Sequence, residues 1–172
     1  MSFFNQRSRI LPFLLLISVA IIALDRVTKL WISHHLPIAH FIPVIPGFLR
    51  ISHWQNDGAA FSLFANSVSP ETVRWGLVTF TCAAMLVILF FLYRLSKRFS
   101  ATALALALIL GGAIGNLYDR IRFASVIDFI EVHIFTYHWP DFNVADSSIV
   151  VGACLLLLDA FFAKQPSKTI HS

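Results

Sequence analysis

The chain has 172 residues, of which 58% are hydrophobic and only 13% charged, and its mean hydropathy is +0.76. A soluble domain is about half apolar and about a quarter charged, so this composition points away from a water-soluble globule and toward a membrane protein. Lys and Arg number 13 against 9 Asp and Glu, for a net charge of +4, but no soluble domain gathers them, which leaves no nucleic-acid partner to expect.

Taken in chain order, the first apolar run is Ile10–Leu24, preceded by Arg7 and Arg9. A basic start before an apolar stretch resembles a secretory leader. No small-x-small cleavage site follows, however, and the pattern continues through Asp25, Lys29 and Trp31 to about Ile32, as an uncleaved span does. Three more runs can each be extended to the roughly 17–23 residues that cross about 30 Å of hydrocarbon as helix. The spans expected are 10–32, 73–93, 100–119 and 146–163. Together they make one all-α integral membrane domain over residues 1–172, with outer loops at 33–72 and 120–145.

Arg7, Arg9, Arg94, Lys97, Arg98, Lys164 and Lys168 lie beside span ends, and none of those flanks holds an acid. The positive-inside rule places both termini and the 94–99 loop in the cytoplasm. Cys82 and Cys154 fall inside spans two and four without metal or redox spacing, and read as buried apolar thiols. Val151-Gly-Ala-Cys154 resembles a lipidation box only by coincidence, since it lies deep in the last span.

Within span one, Asp25 and Lys29 are four residues apart and share a helix face. Either they form an ion pair that makes two charges tolerable there, or one of them reaches a polar centre. Arg26 lies on another face and is expected to snorkel outward. In the first outer loop, Phe48–Trp54 and Ala59–Phe64 suit short strands around Gln55-Asn56-Asp57-Gly58. A small extracytoplasmic β-sheet in this loop is expected, with Phe41, Phe48, Trp54, Phe61 and Phe64 as interfacial aromatics. Asn56 and Gly58 read as a hairpin turn, or as a turn whose Asn amide holds a substrate backbone.

Asn116, Asp119 and Arg120 share a face at the outer end of span three, where an Asp–Arg pair would pin the helix end. Gly111, Gly112 and Gly115 lie below them, suited to close helix packing or to the approach of a ligand's apolar chain. Asn143-Val-Ala-Asp146 resembles an N-cap with an acid at N3, and Asp128-Phe-Ile-Glu131 could cap a short helix. Taken singly, Asp128 and Asp146 read as caps. Both, however, stand at one membrane surface beside asparagines and an arginine, in a chain with few charges. A carboxylate bordering lipid costs about 2.5–3.5 kcal/mol at a helix centre unless paired, hydrated or functional.

Two carboxylates in close approach share one proton. The ionised member activates a water, and the protonated one polarises a carbonyl or protonates a leaving amine. No His-Glu-x-x-His zinc motif and no Gly-x-Ser-x-Gly elbow competes with this aspartic-protease chemistry. Of the seven histidines, His34, His35, His40, His53 and His171 show no ligand spacing. His133 and His138 near Asp141 are arguable as a metal site, but read more simply as decoration of an interfacial loop. A proton-coupled transporter relay through Asp25, Lys29, Asp128 and Asp146 is a second reading. It is disfavoured because transport sites lie near the midplane. A structural scaffold, with the acids as caps, is a third.

Five ordered motifs carry a resemblance: Asp25-Arg-Val-Thr-Lys29, Asn56-Asp-Gly58-Ala-Ala-Phe61, Gly111-Gly-Ala-Ile-Gly-Asn116-Leu-Tyr-Asp119-Arg120, Val126-Ile-Asp128-Phe129 and Phe142-Asn143-Val-Ala-Asp146-Ser147. Across nearly its whole length the chain resembles the lipoprotein signal peptidases (signal peptidase II), bacterial inner-membrane aspartic endopeptidases. The resemblance implies a prolipoprotein substrate whose cysteine carries a diacylglyceryl group, cut just before that cysteine. It implies Asp128 and Asp146 as the catalytic pair. Asp25, Lys29, Asn56, Gly58, Gly111, Gly112, Asn116, Asp119, Arg120 and Asn143 are implied as support and substrate contacts. It implies no metal and no cofactor, membrane lipid as surroundings, and an active site on the periplasmic or outer side. The oligomeric state is left open, with a monomer as the simplest case. The first outer loop is expected to close over the lipidated cysteine, and the glycine face of span three to receive part of the substrate.

Overall fold

A computed structural model describes residues 10–58 and 69–162. Among these are four helices long and apolar enough to cross a membrane, α1 (Leu11–His35), α2 (Pro70–Leu95), α3 (Ala101–Phe123) and α4 (Val144–Phe162). Their starts follow local chemistry. Pro70 opens α2, where a missing N–H costs nothing, and the Ser69 hydroxyl accepts from the Thr72 N–H at 3.2 Å. Ser100 caps α3 in the same way through the Ala103 N–H at 3.1 Å.

α3 is the central helix and packs against the other three. Its sequence explains this: Ala103, Ala105, Ala107, Gly111, Gly112, Ala113 and Gly115 are buried along it, and small side chains let neighbouring backbones approach where lipid offers no hydrophobic drive. Ser18 donates to the Ala107 carbonyl at 2.7 Å, and Ser148 to the Leu108 carbonyl at 3.2 Å, tying α1 and α4 to α3. At the end away from the sheet, Leu14, Leu92, Leu106 and Leu110 form an apolar cluster, and Thr102 donates to Asp159. Large apolar side chains such as Phe80, Leu86, Leu157 and Phe161 point outward, as lipid-facing residues do.

Cys82 and Cys154 are exposed on the helix surfaces, contrary to the expected burial. A span is apolar on its lipid side as well as its protein side, so hydropathy does not distinguish the two.

At the other end lies a four-stranded antiparallel sheet in the order β1 (Phe41–Ile45), β2 (Leu49–Asn56), β3 (Val126–Ile134), β4 (Tyr137–Phe142). It is not a property of the first outer loop alone, because half its strands come from the second. β2 and β3 pair from Leu49↔Val132 to Asn56↔Val126, which satisfies edges that an isolated hairpin would leave open. Asp128-Phe-Ile-Glu131 lies inside β3 and caps no helix. Ala59–Phe64, expected as a strand, falls outside the described residues, as do residues 59–68 of the loop expected to close over substrate. Phe41, Phe48 and Trp54 are exposed as expected of interfacial aromatics, and Phe135, Tyr137 and Trp139 join them from the β3–β4 hairpin. Phe61 and Phe64 lie outside the described residues.

Candidate active site

The site is assembled where the outer ends of α1, α3 and α4 meet β2 and β3. Asn143 is the residue before α4, and its side-chain oxygen accepts from the Asp146 N–H at 2.9 Å. Asp146 Oδ2 returns the contact by accepting from the Asn143 N–H at 3.2 Å. This is a reciprocal capping box with Asp at N3. Capping and placement of the carboxylate are therefore one structure, and the two readings of Asn143 and Asp146 do not compete.

The Asn143 amide has a second task. Its Nδ2 donates to Asp128 Oδ1 at 2.7 Å, so one residue holds both carboxylates. Asn56 donates to the other oxygen of Asp128 at 2.8 Å, while its own oxygen accepts from the Gly58 N–H at 2.9 Å. Gly58 sits at φ +95°, a conformation that favours glycine. Asp146 Oδ1 accepts from Asn116 Nδ2 at 2.7 Å. Each aspartate is thus held by two donors, one of them always an asparagine amide.

Beneath the pair lies a buried ion cluster. Lys29 is fully buried, with Nζ 2.8 Å from Asp25 Oδ2, 2.8 Å from Asp119 Oδ2 and 3.0 Å from Asn116 Oδ1. Because an ammonium only donates, Lys29 fixes the oxygen of Asn116 and leaves its NH2 to face Asp146. Asp25 Oδ1 accepts from the Ala145 N–H at 3.0 Å, which anchors the first turn of α4. Arg26 does not snorkel outward. Its guanidinium pairs with Asp119 Oδ1 at 2.8 Å and lies over the rings of Tyr118 and Phe123. Sequence spacing missed this partner, and the only signal was its place between two charged neighbours on one span. The expected Asp119–Arg120 pair is not formed. Arg120 donates to the Asn116 carbonyl at 3.5 Å, and its charge acts on Asp146 and Asp128. A buried charge is tolerable when an opposite charge pairs with it, and Lys29 pairs with both Asp25 and Asp119.

Gly111 and Gly112 are packing residues. A Cβ on Gly111 would stand 2.9 Å from the Ser18 carbonyl oxygen, and one on Gly112 would run into the Ala145 carbonyl oxygen and the Ser148 hydroxyl. The glycine face of α3 is therefore filled by α1 and α4, not left open for a substrate chain. Gly115 serves the site as well, since its Cβ would come within 2.8 Å of Asp25 Oδ2.

Burial pushes the Asp128 carboxyl up to about 6; the hydrogen bond from Asn56 opposes this, and the charge of Asp146 adds to it. Asp25, Asp119, Asp128 and Asp146 face Arg26, Lys29 and Arg120, leaving one negative charge in excess.

A family model described as signal peptidase (SPase) II matches residues 17–162. The lipoprotein signal peptidase of Desulforapulum autotrophicum is 40% identical over 161 residues, covering 94% of this chain and 99% of that protein. The lipoprotein signal peptidase of Pseudomonas putida is 42% identical over 156 residues, covering 90% of each. A bacterial membrane enzyme solved by the in meso method at 2.3 Å superposes with a TM-score of 0.76 at 30% identity, covering 92% of this chain and 94% of that one. Four spanning helices with carboxylates gathered under a small sheet, together with these relatives, define a membrane-embedded aspartic peptidase. Within that class, the chain belongs to the signal peptidase II family. It is a multi-pass bacterial membrane protein that removes signal peptides from prolipoproteins.

Proposed function

We propose that Asp128 and Asp146 form the catalytic pair and cut the signal peptide just before a diacylglyceryl-modified cysteine. The observation that carries this reading is Asn143, which donates to Asp128 through its side chain and to Asp146 through its backbone. Asp128, whose carboxyl is raised to about 6 by burial, is the member that carries the shared proton, and Asp146 is the base. Asp146 takes a proton from water as the hydroxyl adds to the scissile carbonyl carbon, and Asp128 gives its proton to the carbonyl oxygen. As the tetrahedral diol collapses and the C–N bond breaks, Asp146 gives the proton it took from water to the amine of the departing lipidated cysteine, and a diol hydroxyl returns a proton to Asp128. Asn56, Asn116 and Asn143 orient the carboxylates. Lys29 holds the Asn116 amide, Asp25, Asp119 and Arg120 balance charge around it, and Gly58, Gly111 and Gly112 permit the close packing this needs.

Both termini and the short α2–α3 connection lie on the cytoplasmic side, and the sheet and the aspartates on the outer side of the inner membrane. The basic residues Arg94, Lys97 and Arg98 beside that connection support this orientation. A signal peptide is itself an apolar helix in the bilayer, so a pair at the outer helix ends meets its scissile bond without drawing it into water. The enzyme works as a single membrane domain and as a monomer.

The test is cleavage of a diacylglyceryl prolipoprotein in liposomes by Asp128→Asn and Asp146→Asn. Asn caps a helix about as well as Asp, so each variant is expected to insert and fold while losing cleavage. Cleavage surviving in both variants would overturn the assignment, and equal cleavage of unlipidated precursor would overturn the lipid requirement.

A further inference from the structure

We propose that the β3–β4 hairpin carries a binding site for a divalent transition metal of the zinc or copper class, formed by Glu131, His133 and His138 with Asp141 beside them. His133 and His138 are cross-strand partners, so their side chains leave the same face of the hairpin. Their rings stack with centroids 4.9 Å apart. Glu131, two residues before His133, sends its Oε1 to 2.5 Å from His133 Nε2 and 3.8 Å from His138 Nε2. Asp141 Oδ1 lies 3.2 Å from His138 Nε2. One ligand atom from each of Glu131, His133 and His138 lies within 4.8 Å of the others.

Ligands bound at about 2.0–2.2 Å in a tetrahedral array stand about 3.3–3.6 Å apart, so small side-chain rotations close the set around an ion. Two imidazoles with carboxylates suit zinc, copper or nickel and not calcium or magnesium. The histidines are partly exposed while Glu131 is buried, giving a fixed carboxylate at the base and an open approach from solvent. The site is separate from the aspartate pair: Asp128 is held by Asn56 and Asn143, and neither touches this cluster.

One cation already faces the site. Arg50 on β2 lies 3.2 Å from Glu131 Oε1, with its guanidinium over the Phe41 ring at 4.4 Å. It neutralises Glu131 when no metal is bound and repels an arriving ion. Removing it should therefore strengthen metal binding, which a site elsewhere on the protein would not show.

The experiment is a zinc titration of the full-length enzyme in detergent micelles after chelator treatment, followed by calorimetry. One ion per chain is expected, with a Kd in the range of about 1–10 μM. His133→Ala with His138→Ala should weaken binding at least tenfold, and Arg50→Gln should tighten it several-fold. Bound copper should show two equatorial nitrogens by electron paramagnetic resonance. The absence of saturable binding below about 100 μM, or an affinity unchanged in the double alanine variant, would overturn the proposal. Arg50→Gln needs neither histidine to be altered, so its result stands even if the alanine variants fold poorly.

Discussion

Asn143 donates its amide hydrogen to Asp128 at 2.7 Å while the oxygen of the same amide caps α4. One side chain thus fixes the helix that carries one aspartate and the strand that carries the other. Neither interaction alone requires asparagine, but the two together require a side chain that both donates and accepts.

That dual role separates two substitutions at this position. Asn143→Asp keeps a capping oxygen but replaces the donor with a third carboxylate. The helix should form normally, with cap energetics within a few tenths of a kcal/mol. Cleavage should fall by about 10²-fold or more, as when a charge-orienting hydrogen bond is lost from a catalytic site. Circular dichroism and the liposome cleavage assay check the two halves, and near-normal cleavage would remove Asn143 from the site.

Lys29 anchors the buried cluster. Lys29→Met should leave Asp25 and Asp119 facing each other without their shared cation, at a cost of about 3–5 kcal/mol. Adding Asp25→Asn should recover part of that loss, because Arg26 still pairs with Asp119. Thermal unfolding in detergent measures both variants, and strictly additive losses would show that the three residues do not act as one cluster.

The pH dependence follows from Asp128. Its folded-state carboxyl is raised to about 6 from an ordinary 3.8, so its ionised form is the penalised one. The folded protein therefore binds the proton more tightly. The stability this contributes is fully present below about pH 4 and is lost as pH rises through about 6. In kinetics, kcat/KM should decline on the basic side with an apparent pKa near 6 for the free enzyme. A basic limb that stays flat through pH 8 would contradict Asp128 as the proton carrier.

Glycine packing gives a test with an internal control. Gly112→Ala forces a methyl group onto the Ala145 carbonyl and Ser148, where backbone must move. Overpacking of this kind costs about 1–3 kcal/mol, and displacement of α4 should also weaken cleavage by moving Asp146. Gly76→Ala, with nothing among the described residues within 4 Å of the added carbon, should change neither. Thermal stability and cleavage rates of the pair check this, and equal behaviour would mean that α3 and α4 are not in the tight contact described.

Much of the molecule is legible from local patterns. The four apolar runs correspond to α1, α2, α3 and α4, because the length of a span and the polarity of its flanks are properties of contiguous residues. The Asn143–Asp146 capping box was visible for the same reason, with both partners three residues apart. The family motifs likewise name the residues that meet at the site without saying how they meet.

What required the tertiary structure is the identity of partners. Asn56 and Asp128 are 72 residues apart, Lys29 and Asn116 are 87 apart, and Arg26 and Asp119 are 93 apart. Spacing suggested Asp119 with Arg120, but packing gave Asp119 to Arg26 and Lys29. A loop sheet also looked local until β2 paired with β3. By itself the sequence determined where the chain is apolar, that it carries four long apolar helices and which charged residues it can least easily hide. Only the folded chain decided which of those charges neutralise one another, because burial and pairing depend on segments that meet only once α1, α3 and α4 have packed.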